Sequence, residues 1–316
     1  MSAIKRSNVN MFLLLNAILW GSHYVWNKML LGYLPRFSIL FICSLGGAIC
    51  TGIAFYKSMR HISRKSLLWG IFINSFSTVS NIFCMLALGA TSSSNTAFIV
   101  QTSVLITPVL MCVLLKKLPE KKVVAGSLTA LPGLFLLTTE LKGFHINPGD
   151  LFALVNALFF SLFMVATNIN SDKIDSKQLT VIHHAMNTVI FFILMACFEK
   201  GTSRLNSFLS PIPLALSGIS IFIAIATILI QNSALCIVNP ERATLIYTLE
   251  PVFASIFAFI FIGERLESAA AVAGCILILA SVMFSVFTGR KGASEIIFSP
   301  VIRIRKSISF ISRLFF

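Results

Sequence analysis

Ten stretches of mostly apolar residues follow one another along the chain, at 11–29, 36–56, 67–88, 95–115, 121–139, 150–170, 178–198, 213–236, 241–262 and 268–288. Each is near the roughly 20 residues that an α-helix needs to cross a bilayer. The connections are short, so no soluble domain sits between them. Charged residues make up 11% of the 316-residue chain, against about 25% in an ordinary soluble domain. One soluble core cannot hide so much apolar surface. The sequence predicts an all-α integral membrane protein with ten transmembrane helices. No small-residue cleavage site follows the first apolar run, which reads as a retained helix rather than a signal peptide.

The net charge of +14 does not point to nucleic acid, because the cations fall between apolar segments. Placing the N-terminus inside puts 19 of the 25 Lys and Arg on the inner side. Positive charge marks the cytoplasmic face. Both termini are therefore expected in the cytoplasm, and the protein in the inner membrane of a bacterial cell. The seven cysteines lie in or beside apolar segments without CxxC spacing. They suggest neither metal nor disulfide, and no cofactor motif is present.

The chain repeats internally. "LLNAILWGSHYV" (14–25) aligns with "LVNALFFSLFMV" (154–165), sharing Asn16/Asn156. At an offset of 148, "KKLPEKKVVAGSL" (116–128) faces "ERLESAAAVAGCI" (264–276). Five helices fall in each half, 11–140 and 150–288. An odd number makes the second half enter the membrane from the opposite side. Such inverted repeats are typical of secondary transporters with a site near the midplane.

"AILWGSHYVWNKML" near the N-terminus, "YTLEPVFASIFAFIFIGERL" (247–266) and a weaker copy around 95–126 resemble the EamA family of the drug/metabolite transporter superfamily. The resemblance covers 11–288. It implies two inverted five-helix bundles around a central cavity, moving small polar metabolites by alternating access. Family members carry amino acids, sugars, nucleotide-sugars or S-adenosylmethionine. The two halves differ: Lys116-Lys117 stands opposite Glu264-Arg265, and Thr102-Ser103 opposite Glu250-Pro251.

Polar side chains are costly against lipid, so polar helix faces should turn inward. The first segment carries Asn16, Trp20, His23 and Asn27 on one face, and the sixth Asn156, Phe160, Phe163 and Thr167. Trp20 and His23 are the better ligand contacts, since their rings can stack on a planar or cationic group. The asparagines serve equally well as bonds between helices. Asn74, Ser77 and Asn81 share a face of the third segment, and Thr227 and Gln231 a face of the eighth; Gln101 and Thr102 lie in the fourth. Candidate substrate contacts are Trp20, His23, Asn27, Asn74, Asn81, Gln101, Phe160, Phe163, Gln231 and Tyr247.

Glu250 is the only Asp, Glu, Lys, Arg or His in 243–262, where a carboxyl costs on the order of 2.5–3.5 kcal/mol to insert. Ala243, Tyr247, Ala254 and Ala258 share its face; Leu245, Leu249, Val252, Ile256 and Phe259 should meet lipid. The carboxyl can hydrogen-bond structurally, exchange a proton, or pair with a cationic substrate. Glu250 and Pro251 are expected to couple or gate transport, with Pro251 as a hinge. His183-His184 opens the seventh segment and reads as an interfacial pair. Residues 289–316 form a basic tail in which Ile297, Val301, Ile304, Ile308, Ile311 and Phe315 define an apolar stripe, expected to lie on the inner leaflet.

The expected function is secondary transport of an amino acid or an adenosyl-type metabolite such as S-adenosylmethionine. Partners are that small molecule and membrane lipid, with no nucleic acid and no defined oligomeric state. A phosphorylated sugar fits worse, because Lys28 near a helix end is the one internal cation. A lipid-modifying membrane enzyme using His183 and His184, or a channel without alternating access, are the alternatives. A reporter active only in the cytoplasm should work at either terminus and fail in the connection at 30–35; the reverse pattern would invert the orientation.

Overall fold

The computed structural model describes residues 8–116, 118, 121–139, 147–199, 210–263 and 269–287. Among them all regular structure is helical. In chain order the helices are α1 (Val9–Leu31), α2 (Arg36–Ala54), α3 (Tyr56–Met59), α4 (Arg64–Ala90), α5 (Ser93–Val100), α6 (Ser103–Leu115) and α7 (Lys121–Thr139). Then follow α8 (Pro148–Ile169), α9 (Ser176–Phe198), α10 (Pro211–Leu235), α11 (Pro240–Tyr247), α12 (Glu250–Ile262) and α13 (Ala269–Phe287). The basic tail and the Glu264-Arg265 pair lie outside the described residues.

Seven helical stretches are long and apolar enough to cross a membrane: α2, α4, α8, α9, α10 and the composites Asn95–Leu114 and Pro240–Ile262. The surface is inside-out relative to a soluble protein. Val113 is 69% and Phe222 67% exposed, while Asn16, Asn74, Gln101, Gln231 and Asn232 are fully buried. This is a multi-pass membrane protein. The other three expected spans differ from the seven. Helix α1 is long, but polar groups at Asn16, Ser22, His23 and Asn27 lower its hydropathy. The apolar stretches of α7 and α13, Val123–Leu136 and Val272–Met283, are short.

Each composite span is an eight-residue helix, a two-residue break and a thirteen-residue helix. Each ends on a left-handed residue, Lys116 or Gly263. At the second break Pro251 has no N–H to donate back to Tyr247, so the α ladder lapses. Leu249 N–H bonds Ile246 O at 3.2 Å instead. At each break a threonine hydroxyl donates to the carbonyl three residues earlier: Thr102 to Ile99 and Thr248 to Leu245, both at 2.7 Å. The breaks lie 147 residues apart, one less than the sequence offset. That register sets Ser103, not Thr102, opposite Glu250.

The largest helix contacts are α4 with α8, α2 with α9, and α7 with α13; α1 packs on both α10 and α12. Glycine allows the closest of these. A Cβ on Gly21 would fall 2.7 Å from Phe253 Cβ and 2.8 Å from Glu250 O, and one on Gly133 would fall 2.9 Å from Gly274 O. In the same α7–α13 contact Ser281 Oγ donates to Gly126 O at 2.7 Å. Glu199, at the end of α9, accepts from the N–H groups of Phe37 and Ser38 at 2.6 and 2.8 Å. It caps α2, whose first amides have no carbonyl partner of their own.

One face of the second composite departs from expectation. Ile256 and Phe259 are exposed, but Leu245, Leu249 and Val252 are buried. The break at 248–249 interrupts the helical phase, and Leu249 and Val252 join a central apolar cluster with Leu13, Ile73, Leu179 and Ile246.

Gly21→Leu is expected to lower the thermal transition in detergent, overpacking costing roughly 1–3 kcal/mol. Gly218→Ala, with open space around its Cβ, should leave the transition unchanged or raise it slightly.

Candidate functional site

A cavity of about 60 Å³ lies between five helices. Helix α1 contributes Trp20, His23, Tyr24 and Asn27; α2 contributes Leu40, Cys43 and Ser44. Asn81 and Cys84 enter from α4, His183, His184 and Phe191 from α9, and Ala224 and Ile228 from α10. The α1 residues reach it because their three- and four-residue spacing repeats one helical face. Trp20 meets His23 edge-on at 5.5 Å, and His183 meets His184 at 5.0 Å. No Lys, Arg, Asp or Glu is among the lining residues. Three buried polar atoms on the lining residues have no protein partner: Trp20 Nε1, Asn27 Oδ1 and His184 Nε2. Together they offer a donor, an acceptor and an imidazole nitrogen that can be either.

Of the ten expected contacts, Trp20, His23, Asn27 and Asn81 line this cavity. Asn74 lies beside it and bonds helix to helix: its Nδ2 donates to Gly70 O at 2.9 Å and Leu179 O at 3.2 Å. Its Oδ1 sits 3.1 Å from His183 Nδ1. His183 Nε2 sits 3.1 Å from Asn187 Nδ2, and Asn187 Oδ1 accepts from Thr78 Oγ1. One tautomer satisfies that chain, with the proton on Nδ1 and the lone pair on Nε2. Asn156 likewise bonds helices, donating to Ser80 O at 2.6 Å.

Tyr247 and Gln101 belong to the helix breaks. Tyr247 is fully buried, and its hydroxyl accepts from Asn16 Nδ2 at 2.8 Å. Phe160 lies 6.4 Å from its ring, and Phe163 6.4 Å from the ring of His183. Gln101 Nε2 donates to Glu250 Oε2 at 2.7 Å. Glu250 and Pro251, both buried, begin α12. Gln231 is fully buried with neither amide atom partnered.

His183 and His184 are not interfacial. Helix α9 starts at Ser176 under the Asp175 cap, so they stand eight and nine residues in and are buried. The stripe Thr180, His183/His184, Asn187 carried that signal in the sequence. His184 seats its ring where a Cβ on Gly47 would lie 2.4 Å from Nδ1. Among the described residues no group of three His, Cys, Asp or Glu is placed to hold a metal ion.

The EamA-like transporter family model matches residues 8–139 and again 147–287. The chain belongs to the EamA-like transporter family. Two curated relatives, both uncharacterized transporters of Archaeoglobus fulgidus, are 24% and 23% identical to it. The first alignment covers 89% of this chain and 87% of the relative; the second covers 86% and 95%. A solved structure titled "Crystal structure of protein" covers 92% of the chain with a TM-score of 0.71 at 19% identity, and the match spans 100% of that structure. This EamA-like protein therefore shares the fold of that structure. The family makes it a membrane transporter.

His183→Leu should lower the melting temperature by several degrees, since it leaves Asn74 and Asn187 with buried unpaired groups, at about 1–3 kcal/mol each. His184→Leu breaks no described side-chain bond at Nε2 and should cost less.

Proposed function

We propose that the protein is a secondary transporter of ten membrane spans, built as two inverted five-helix repeats, residues 11–140 and 150–288, and working by alternating access. Several features support the architecture. The family model matches twice. The two composite spans share helix lengths, break and left-handed cap. The α7–α13 contact is reciprocal: Gly126 meets Ser281 while Gly133 meets Gly274, and each pair is the other shifted by the repeat offset. Helix α4 packs on α8 as α10 packs on α1.

The observation that supports the mechanism is a small cavity with an apolar cluster packed on either side of it. On one side Leu13, Ile73, Leu179, Leu235 and Ile246 pack together; on the other Leu30, Leu34, Ile39, Met85 and Leu216 do. A cavity of about 60 Å³ is well below the roughly 300–1,000 Å³ of ligand pockets. A cavity that small holds cargo only after one of these clusters parts. Opening the clusters in turn moves cargo across without a continuous pore. Both halves contribute to each cluster, so rocking one repeat against the other separates them.

The lining supports a cargo with a flat or cationic part and few fixed charges, an amino acid or an adenosyl-type metabolite such as S-adenosylmethionine. Trp20 and His23 would stack on it, and Asn27 and Asn81 would bond its polar edge. The charge distribution supports both termini in the cytoplasm and residence in the bacterial inner membrane. The enzyme alternative is less well supported, because both ring nitrogens of His183 are engaged by asparagines.

Counterflow in proteoliposomes with labelled amino acids and S-adenosylmethionine tests this reading. Saturable exchange by the wild type is expected, with half-saturation raised roughly 5- to 30-fold by Trp20→Ala, for a lost stacking contact of about 1–2 kcal/mol. Flux that rises linearly with concentration and shows no counterflow would make the protein a channel instead.

A further inference from the structure

Glu250 and Gln101 meet where the two interrupted spans touch, each at its own helix break. Gln101 ends α5 and Glu250 begins α12. Both side chains are nearly or fully buried. One bond joins them, from Gln101 Nε2 to Glu250 Oε2. Their other two oxygens, Gln101 Oε1 and Glu250 Oε1, are buried and without partners. Two acceptors facing no donor are costly in a low-dielectric interior. No described Lys or Arg pairs with the carboxyl. The titratable groups around it are Tyr24 of α1, Cys84 of α4 and Tyr247 of α11. Tyr24 and Cys84 also line the cavity. Helix α5 brings no titratable residue.

A primary amide and a carboxylic acid can join by two parallel hydrogen bonds, amide N–H to one acid oxygen and acid O–H to the amide oxygen. The first is present here. A proton on Glu250 Oε1 would supply the second and satisfy both orphaned oxygens at once. We propose that Glu250 and Gln101 form a proton-binding site that holds one proton in this state and couples its movement to transport. The carboxylate takes the proton from water on one side and becomes the acid. When the breaks part, the O–H loses the Gln101 acceptor, water reaches the carboxyl, and the same proton leaves on the other side. No other bond changes. The coupling rests on the transporter reading; the proton site does not.

The break geometry explains why an amide serves here. Gln101 is uncharged, so the pair is neutral when the proton is bound and the helices can seal around it. After release the carboxylate keeps only the single Gln101 bond. The charged form then favours a state with water at the breaks. Proton binding thus biases the same contact that transport must open.

Infrared spectroscopy of the purified protein tests the site directly. The wild type at neutral pH is expected to show a carboxylic-acid C=O band that shifts in D₂O. Glu250→Gln should abolish that band. Gln101→Leu, which removes both hydrogen bonds of the pair, should move it to higher frequency. Absence of the band in the wild type between pH 5 and pH 8 would overturn the proposal, as would a band indifferent to Gln101→Leu. Should Glu250→Gln fail to fold, the Gln101→Leu shift alone decides. In proteoliposomes a pH gradient should drive cargo accumulation by the wild type, and whatever flux Glu250→Gln retains should ignore the gradient. A protonated band with no gradient response overturns coupling and leaves the site. A band with no exchange of amino acids or S-adenosylmethionine overturns the proposed cargo class alone.

Discussion

Every polar group on a helix that crosses a bilayer must find its partner inside the protein, and much of this fold follows from that. Lipid offers no hydrogen bonds. The asparagines of α1, α4, α8 and α9 therefore face inward and bond between helices: Asn16 to Tyr247, Asn74 to Leu179 and His183, Asn156 to Ser80. These bonds set helix register in a bundle where apolar packing discriminates little, since lipid tails are as apolar as leucine. Glycine does the remaining work at closest approach, as at Gly21 and Gly133.

Where that satisfaction is incomplete, the molecule has chemistry to offer. The unpartnered atoms of Trp20, Asn27 and His184 lie around one cavity, and those of Gln101 and Glu250 at the meeting of two helix breaks. Each break loses regular helical bonding and recovers part of it through a threonine hydroxyl. A helix with a weakened ladder bends more readily there than a continuous one. The proposed cargo cavity and the proposed proton site are thus neighbours, with Tyr24 and Cys84 lining the first and lying near Glu250 of the second.

The proposed inverted repeat draws support from packing as well as from the doubled family match. The Gly126–Ser281 and Gly133–Gly274 contacts are an interface that reads the same from either side. The chemistry is not symmetric. Ser103 occupies the position of Glu250, and Gly47 makes room for His184. One half keeps the acid and the other supplies the amide that holds it.

Much of the site was legible in the sequence. Twenty-residue apolar periods located the helices to within a few residues, and three of the 16, 20, 23, 27 stripe, Trp20, His23 and Asn27, line the cavity, while Asn16 bonds Tyr247 instead. The isolation of Glu250 in an apolar run marked it as inward-facing. Three things only the tertiary structure decided. The break at 248–249 changed helical phase and buried Leu249 and Val252. The start of α9 at Ser176 drew His183 and His184 into the interior. The partner of Glu250 proved to be Gln101, 149 positions earlier. A sequence states which groups must be hidden from lipid, because that follows from each residue's own transfer energy. Which groups meet depends on how distant helices cross, and that is a property of the packed bundle.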